Sequence, residues 1–203
     1  GVATELTGCD VDGETLAAID AAAGGTSLRL LRNDALRHDW GGAAFDIVVG
    51  NPPFLSQMSA STTRGGASRH GGGPYADAAA EFLALAVRLA RPDGGRVGLV
   101  LPQSIIGGRD AGPIRDQVAA TADLTWSWWE PRQQHFHASV NVCALGFERP
   151  ARHGRVAWTV RISPITLRIG PISSTAMLIM WQPRSPSAPS PASALVARHV
   201  HGR

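Results

Sequence analysis

The chain has 203 residues, of which 44% are hydrophobic, and this is enough for one domain of ordinary size with a single core. Its net charge of +3 is unevenly spread: residues 1–150 hold twelve arginines and all sixteen acids, whereas 151–203 hold seven arginines and no acid. The longest apolar runs, such as 97–101, fall far short of the roughly 18 residues of a membrane helix, so no membrane span is expected.

The first fifty residues predict an alternation of strands and helices. Residues 5–10 predict a short strand that ends in an acid, and 12–25 predict a helix closed by two glycines. A second strand is predicted at 27–34, followed by a polar turn at 39–42. A third strand is predicted at 45–50, where the continuous apolar run at 47–49 is typical of a strand in a parallel sheet that is covered on both faces.

The alternation continues after a long loop. Residues 55–74 are rich in Gly, Ser, Thr and Arg without apolar periodicity, which predicts a surface loop. Helical spacing of apolar residues predicts a helix within 75–95. The elements predicted next are a strand at 96–106, a helix at 112–121, and strands at 124–131 and 140–149. This order predicts an α/β fold with a mostly parallel, doubly wound sheet and helices on both faces.

The last quarter of the chain has a different composition. Residues 150–203 are basic and acid-free, and 183–194 form a Pro/Ser/Ala tract that cannot bury enough apolar area to fold. We therefore predict two parts, an ordered domain at 1–149 and a tail at 150–203 that is disordered or translated out of frame.

Two cysteines and a group of tryptophans are predicted to pack inside the fold. Cys9 and Cys143 stand in apolar, strand-like contexts without metal-ligand spacing, which favours reduced thiols in a cytoplasmic protein and no metal site. The amino-terminal residues also lack the basic and apolar regions of a signal peptide. In the strand at 124–131, alternation places Trp126 and Trp128 in the core.

The segment Asn51-Pro52-Pro53-Phe54 follows the third predicted strand directly. Two successive prolines have no backbone N–H and a fixed φ, so the carbonyls before them point in fixed directions. Asp10 and Asp34 also follow strands. Because the carboxyl ends of parallel strands meet at one edge of a sheet, these polar residues predict a cleft there.

Five segments occur in the order of a known family: GCDVD at 8–12, RNDAL at 32–36, GNPPF at 50–54, the helix leading into GGRVGLVLP at 94–102, and HASVNVCALGF at 137–147. Over about residues 1–149 the chain resembles class I S-adenosylmethionine-dependent methyltransferases, and most of all N6-adenine DNA methyltransferases. The resemblance implies a Rossmann-like methyltransferase fold and makes 1–149 a partial catalytic domain.

One part of the family pattern is missing from the sequence. The family's first strand and its glycine-rich cofactor loop would precede Glu5, and they are absent. In the family that strand lies in the middle of the sheet, between the second and fourth strands. Its loss predicts unpaired backbone groups on both neighbours and a chain that is inactive alone.

The resemblance assigns the substrate side of the cleft to Asn51, Pro52, Pro53 and Phe54. The side-chain oxygen of Asn51 and the carbonyl of Pro52 would accept both hydrogens of an adenine amine, and Phe54 would stack on the base. Asn51 and Pro53 would also contact the cofactor, S-adenosylmethionine. The alternative for Phe54 is ordinary core packing.

The resemblance assigns the rest of the cofactor site to Asp10, Asp34 and Ala35. Asp10 would bind the ribose hydroxyls, whereas the nearby Asp12 fits a helix cap better. Asp34 would accept from the cofactor's adenine amine while the backbone of Ala35 reads the ring edge. The alternative for Asp34 is a turn-forming residue after a strand.

DNA is the predicted partner, with RNA as a second possibility. Arg64 and Arg69 in the glycine-rich loop are candidate phosphate contacts, although a merely flexible loop fits nearly as well. No recognition domain is visible, so a separate recognition domain or a restriction subunit is expected. Two alternatives stay open: methylation of RNA adenine or protein glutamine, whose amines are also conjugated, and a non-catalytic nucleic-acid-binding fragment.

Overall fold

A computed structural model describes residues 4–23, 27–54, 68, 70–73, 76–129, 141–150 and 175–181. The strands in this part of the chain are β1 Thr4–Asp10, β2 Leu28–Arg32, β3 Ile47–Asn51, β4 Arg96–Pro102, β5 Asp123–Trp129, β6 Val142–Glu148 and β7 Thr175–Trp181. The helices are α1 Gly13–Ala22, α2 Ala78–Leu89, α3 Ser104–Gly107 and α4 Gly112–Thr121.

All the described strands form one sheet in the order β2-β1-β7-β3-β4-β6-β5. Strands β1, β2, β3, β4 and β7 run parallel, and β6 is antiparallel to both β4 and β5. Helix α1 contacts β1 and β2, whereas α2 contacts β3, β4 and α4. Since parallel crossovers are almost always right-handed, and β2 and β4 lie on opposite sides of their preceding strands, α1 and α2 belong on opposite faces of the sheet. The predicted fold class, a mostly parallel sheet with helices on both faces, is confirmed.

The middle of the sheet departs from the sequence prediction. The resemblance predicts an unfilled position between β1 and β3, but β7 occupies it and pairs in parallel with both neighbours. The physical reason is that both inner edges present unpaired backbone groups, and 175–181 contains no proline or charge that would prevent pairing. For these residues the structure has a strand where the sequence predicts disorder. The boundary at 149 and the character of 151–174 and 182–203, which lie outside the described residues, stay predictions.

Helix α2 forms the centre of the core. Every one of its residues except Arg88 is buried, and all of the buried ones except Glu81 are apolar. Asp77 caps its first turn by accepting from the backbone N–H of Ala79. At the other end, Nη1 of Arg149 donates to the carbonyls of Val87 (3.1 Å) and Ala90 (2.7 Å), which have no partner within the helix.

Smaller predictions have mixed outcomes. Cys9 and Cys143 are free and buried, as predicted. Trp126 and Trp128, predicted to lie in the core, are both only half-buried: a β-bulge between Leu124 and Trp126 interrupts the alternation of β5, and Ser127 is buried instead. Within the described ranges, no helix combines the length and apolar character that crossing a membrane requires.

Candidate functional site at the carboxyl edge of the sheet

Three of the predicted site residues follow neighbouring parallel strands. Asp10 ends β1, Asp34 comes two residues after β2, and Asn51 ends β3. Met180 of β7 pairs with Cys9 of β1 on one side and with Gly50 of β3 on the other. The next residue of each strand, Asp10 in β1 and Asn51 in β3, therefore lies at the same level along the sheet. Two strand spacings separate them, about 10 Å between backbones. The predicted cleft edge therefore contains all three residues.

Asp10 carries the most perturbed carboxylate of the edge. It is almost completely buried, with 2% of its surface exposed. Its Oδ1 accepts a 2.8 Å bond from the backbone N–H of Asp12, whereas Oδ2 is buried without a hydrogen-bond partner among the described residues. Burial raises the pKa of Asp10 to about 6, and the bond from Asp12 partly offsets this. A buried acceptor that lacks a donor is a place where a ligand hydroxyl can bind.

Asp12 has the structural role that its position predicts. It is the N-cap of α1, and its carboxylate accepts from the backbone N–H of Glu14 (3.0 Å) and the hydroxyl of Thr15 (2.9 Å). The bond from Glu14 is the main reason that the pKa of Asp12 lies below its ordinary value. Because both oxygens are engaged, Asp12 competes poorly with Asp10 for a ligand.

Asp34 is held in a turn, which is the alternative that the sequence left open. Its Oδ1 accepts from the backbone N–H of Leu36 (3.0 Å), and its Oδ2 lies 3.3 Å from Nε of Arg37. Arg37 is exposed and Asp34 is half-buried, so solvent screens the ion pair and it adds little stability. Ala35 is buried, and its carbonyl accepts from the indole N–H of Trp40 (2.9 Å). The turn begins after Asn33, whose backbone N–H donates to the carbonyl of Asp10 (2.9 Å). Contact of Asp34 and Ala35 with a cofactor stays a prediction.

The Asn-Pro-Pro-Phe segment leaves the sheet at the end of β3. Asn51 is half-buried and still pairs with β7, which fixes its backbone. Pro52 is buried, and Pro53 is half-buried. Phe54 is half-buried and packs against the hydrophobic core, so it has the packing role that the sequence left open and still keeps part of its surface exposed.

Two predicted nucleic-acid contacts lie outside the described residues. These are Arg64 and Arg69, and their contact with phosphate stays a prediction. Among the described residues, no group of three His, Cys, Asp or Glu side chains could hold a metal ion.

Glu81 is a polar residue near this edge that the sequence analysis missed. It lies in the first turn of α2 and is only 2% exposed. Its two oxygens accept from the hydroxyl of Ser68 (2.5 Å) and from the backbone N–H of His70 (2.8 Å). Gly72 passes so close that a Cβ there would lie 2.7 Å from Oε1 of Glu81. The carboxylate thus anchors Ser68 and His70, which lie within the loop that the sequence predicts at 55–74. The only acid of a twelve-residue helix that is apolar at every other position except Arg88 was the available signal.

The residues present fit one end of the predicted cofactor. The ribose of S-adenosylmethionine carries two hydroxyl donors, and Oδ2 of Asp10 is a buried acceptor that lacks one. The methionine end has no such match, because the sequence that follows β7 contains no glycine before Gly202. A glycine-rich loop like that of the family therefore does not follow the central strand.

One family model matches this chain. The model described as Eco57I restriction-modification methylase matches residues 25–126, which is half of the chain. The matched range includes Asp34, Ala35 and 51–54, and it excludes Asp10. No curated protein matches the chain.

Solved structures share the fold at low sequence identity. The M protein of the type I restriction enzyme EcoKI is 18% identical, with a TM-score of 0.56 over 71% of this chain and 31% of that one. A Listeria monocytogenes protein described as a class I S-adenosylmethionine-dependent methyltransferase is 17% identical, with a TM-score of 0.55 over 87% and 49%. The type I methyltransferase subunit from Streptococcus thermophilus is 18% identical, with a TM-score of 0.52 over 74% and 41%. The chain spans about a third to a half of the length of these proteins.

Replacing Asp10 by Asn should change how stability depends on pH. Between about pH 4 and pH 6 folded Asp10 holds a proton that the unfolded chain releases, so the free energy of unfolding falls as pH rises. A shift of about two pKa units lowers the free energy of unfolding by about 3 kcal/mol, and this loss is complete above pH 6. Asn cannot ionise, so the variant does not suffer this loss. The free energy of unfolding of Asp10→Asn should therefore rise relative to that of wild type by about 3 kcal/mol as the pH increases from 4 to 7.5.

Urea unfolding of both proteins across this pH range measures the difference. Asp20→Asn, at an exposed position of α1, is the matched control and should track wild type. A difference between Asp10→Asn and wild type that stays constant from pH 4 to 7.5 would contradict the raised pKa.

Removing the carboxylate of Glu81 should destabilise the fold more than a change to its amide. Glu81→Ala leaves the Ser68 hydroxyl and the His70 N–H without their buried acceptor, and we expect a loss of about 3 kcal/mol. Glu81→Gln keeps one acceptor oxygen, so its loss of stability should be about half that of Glu81→Ala. Chemical denaturation measures both, with the exposed Glu14→Ala as control. Equal losses for Glu81→Ala and Glu14→Ala would show that Glu81 is not an anchor.

Proposed function

The chain belongs to the Eco57I restriction-modification methylase family, and from this premise we propose that it transfers a methyl group from S-adenosylmethionine to the N6 amine of adenine in DNA. One observation carries the proposal. Asn51-Pro52-Pro53-Phe54 stands at the carboxyl end of a parallel strand, in the same row as the buried acceptor of Asp10.

The reaction needs a way to make a weak nucleophile react. The lone pair of adenine's exocyclic amine is delocalised into the ring, which keeps the nitrogen planar. Two acceptors aimed at the two amine hydrogens favour the pyramidal nitrogen of the transition state over the planar ground state. A strong base is not needed before attack, because the amine proton becomes acidic only as the new C–N bond forms.

Asn51 and Pro52 supply two acceptors of the required kind. Pairing with β7 holds the backbone of Asn51, and burial together with the proline ring holds Pro52. Acceptors that are held before the substrate arrives need no reorganisation during the reaction, which is the main source of electrostatic catalysis. We assign the amine contacts to the side-chain oxygen of Asn51 and the carbonyl of Pro52.

Phe54 has the exposure and the support that base stacking needs. An adenine inside a duplex has to rotate out of the stack, at a cost of a few kcal/mol. Stacking on an aromatic ring returns roughly 1–3 kcal/mol per base. Phe54 packs against the core, which supports its side chain, and the surface that stays exposed is available for a base.

The cofactor side of the proposal rests on Asp10. When bound, S-adenosylmethionine supplies an electrophilic methyl group on a sulfonium. Oδ2 of Asp10 would accept from the ribose, and the ionised form, which dominates above pH 6, is the stronger acceptor. The turn at Asp34 and Ala35 would contact the adenine of the cofactor, and Asn51 and Pro53 would lie toward its reactive end.

DNA is the proposed substrate because of the family and the structural relatives. Two of the similar structures are methyltransferase subunits of type I restriction systems. This chain spans less than half of either, so we propose that a recognition domain or subunit outside these residues selects the DNA sequence.

Nucleoside analysis after labelled methyl transfer tests the function. The chain, and a version extended upstream in its gene, are incubated with methyl-labelled S-adenosylmethionine and unmethylated DNA, RNA or protein. We expect label in N6-methyldeoxyadenosine from the extended version and none from the chain alone, and we expect Asn51→Ala in the extended version to lower kcat/KM at least about a hundredfold. Gln117→Ala, at an exposed position of α4, is the control and should match wild type.

Other outcomes would decide against the proposal. Label in RNA adenine or in protein glutamine would move the substrate to one of the alternative classes. An absence of label from every substrate, with either version, would favour a non-catalytic fragment.

A further inference from the structure

We infer that β7 assembles the candidate site by joining two half-sheets, one carrying Asp10 and the other carrying Asn51. The Asp10 half-sheet consists of β1 and β2, and the Asn51 half-sheet consists of β3, β4, β5 and β6. The inference concerns how the site is built and does not depend on which reaction the site performs.

The hydrogen-bonding pattern of the sheet supports this role. Among the described residues, β1 pairs with β2 and β7, and β3 pairs with β4 and β7. No described strand pairing connects the half-sheets except through β7. They are also linked by the covalent segment from β2 to β3, where Trp40 packs edge-on against Phe45 at 6.0 Å between ring centroids. That packing fixes no register between β1 and β3.

The register of β7 sets the positions of the two site residues. Ile179 pairs with Gly8 on one side and with Val49 on the other, and Met180 pairs with Cys9 and Gly50. The row that follows contains the ends of β1 and β3. A slip of β7 by one residue against either neighbour would displace one site residue along the sheet by about 3.3 Å.

The connection from β6 to β7 can be made along one edge of the sheet, without crossing it. β6 is antiparallel to β4 and ends at Glu148, opposite Arg96 at the start of β4. That is the edge where the parallel strand β7 begins. About three strand spacings, or 14 Å, separate the two points, and residues 149–174 could span several times that distance.

The two cysteines provide an internal comparison. Cys9 lies on β1 beside β7, whereas Cys143 lies on β6 between β4 and β5. Both are buried, with 2% and 0% of their surfaces exposed. Cys9 belongs to the same core cluster as residues of the Asn51 half-sheet, so separation of the half-sheets would expose it. Cys143 would stay covered by its own half-sheet.

Thiol labelling of the full chain carrying Ile179→Pro tests the inference. Proline has no N–H to donate, and in the middle of a central strand it prevents pairing. With a thiol-specific reagent and mass analysis of the labelled peptides, we expect Cys9 to react at least tenfold faster than in wild type and Cys143 to change less than twofold. Ala192→Pro, within the Pro/Ser/Ala tract, is the matched control and should leave both thiols protected.

Two results with a folded Ile179→Pro variant would overturn the inference. One is an unchanged rate at Cys9, and the other is equal acceleration at both cysteines, because the half-sheets would then behave as one unit. If the variant does not fold, labelling of wild type in increasing urea replaces it. Reaction of Cys9 at lower urea than Cys143 supports the inference, and reaction of both at the same urea concentration overturns it.

Discussion

Pairing of β7 with both β1 and β3 is the interaction on which the arrangement of this protein depends. A strand in the middle of a covered sheet has no access to water, so its neighbours must satisfy every backbone N–H and C=O. In this chain a segment from the basic tail meets that requirement. Because the pairing is parallel on both sides, the carboxyl ends of three strands lie at one edge. Everything proposed about function uses that edge.

The edge carries polar groups at a cost to stability. Asp10 is buried with one unpartnered oxygen, and burial raises its pKa to about 6. A residue chosen for packing alone would not be a carboxylate in this place. By contrast, Asp12 and Asp77 cap helices, and Glu81 is a buried acceptor for two donors. The difference between these satisfied acids and Asp10 is the physical reason for assigning a ligand to Asp10.

The strands and helices with regular apolar periodicity were predictable from sequence. Helix α2 and strands β1 to β6 follow from their patterns, whereas α3 is a single turn too short to show one. β7 was not predictable, because an apolar run in a disordered-looking tail becomes a strand only when a sheet offers it two open edges. Asp10 and Asn51 were placed correctly at strand ends. Glu81 was missed because its donors come from a loop eleven to thirteen residues earlier in the chain.

Affinity for S-adenosylhomocysteine, measured by calorimetry at pH 7.5, tests most directly whether this edge is a cofactor site. If Oδ2 of Asp10 accepts from the ribose, Asp10→Asn should weaken binding at least about tenfold, since a charged hydrogen bond contributes about 1.5–3 kcal/mol. Asp20→Asn should bind as wild type does. Equal affinities for wild type and Asp10→Asn, or no binding by any of the three, would contradict a cofactor site at the carboxyl edge.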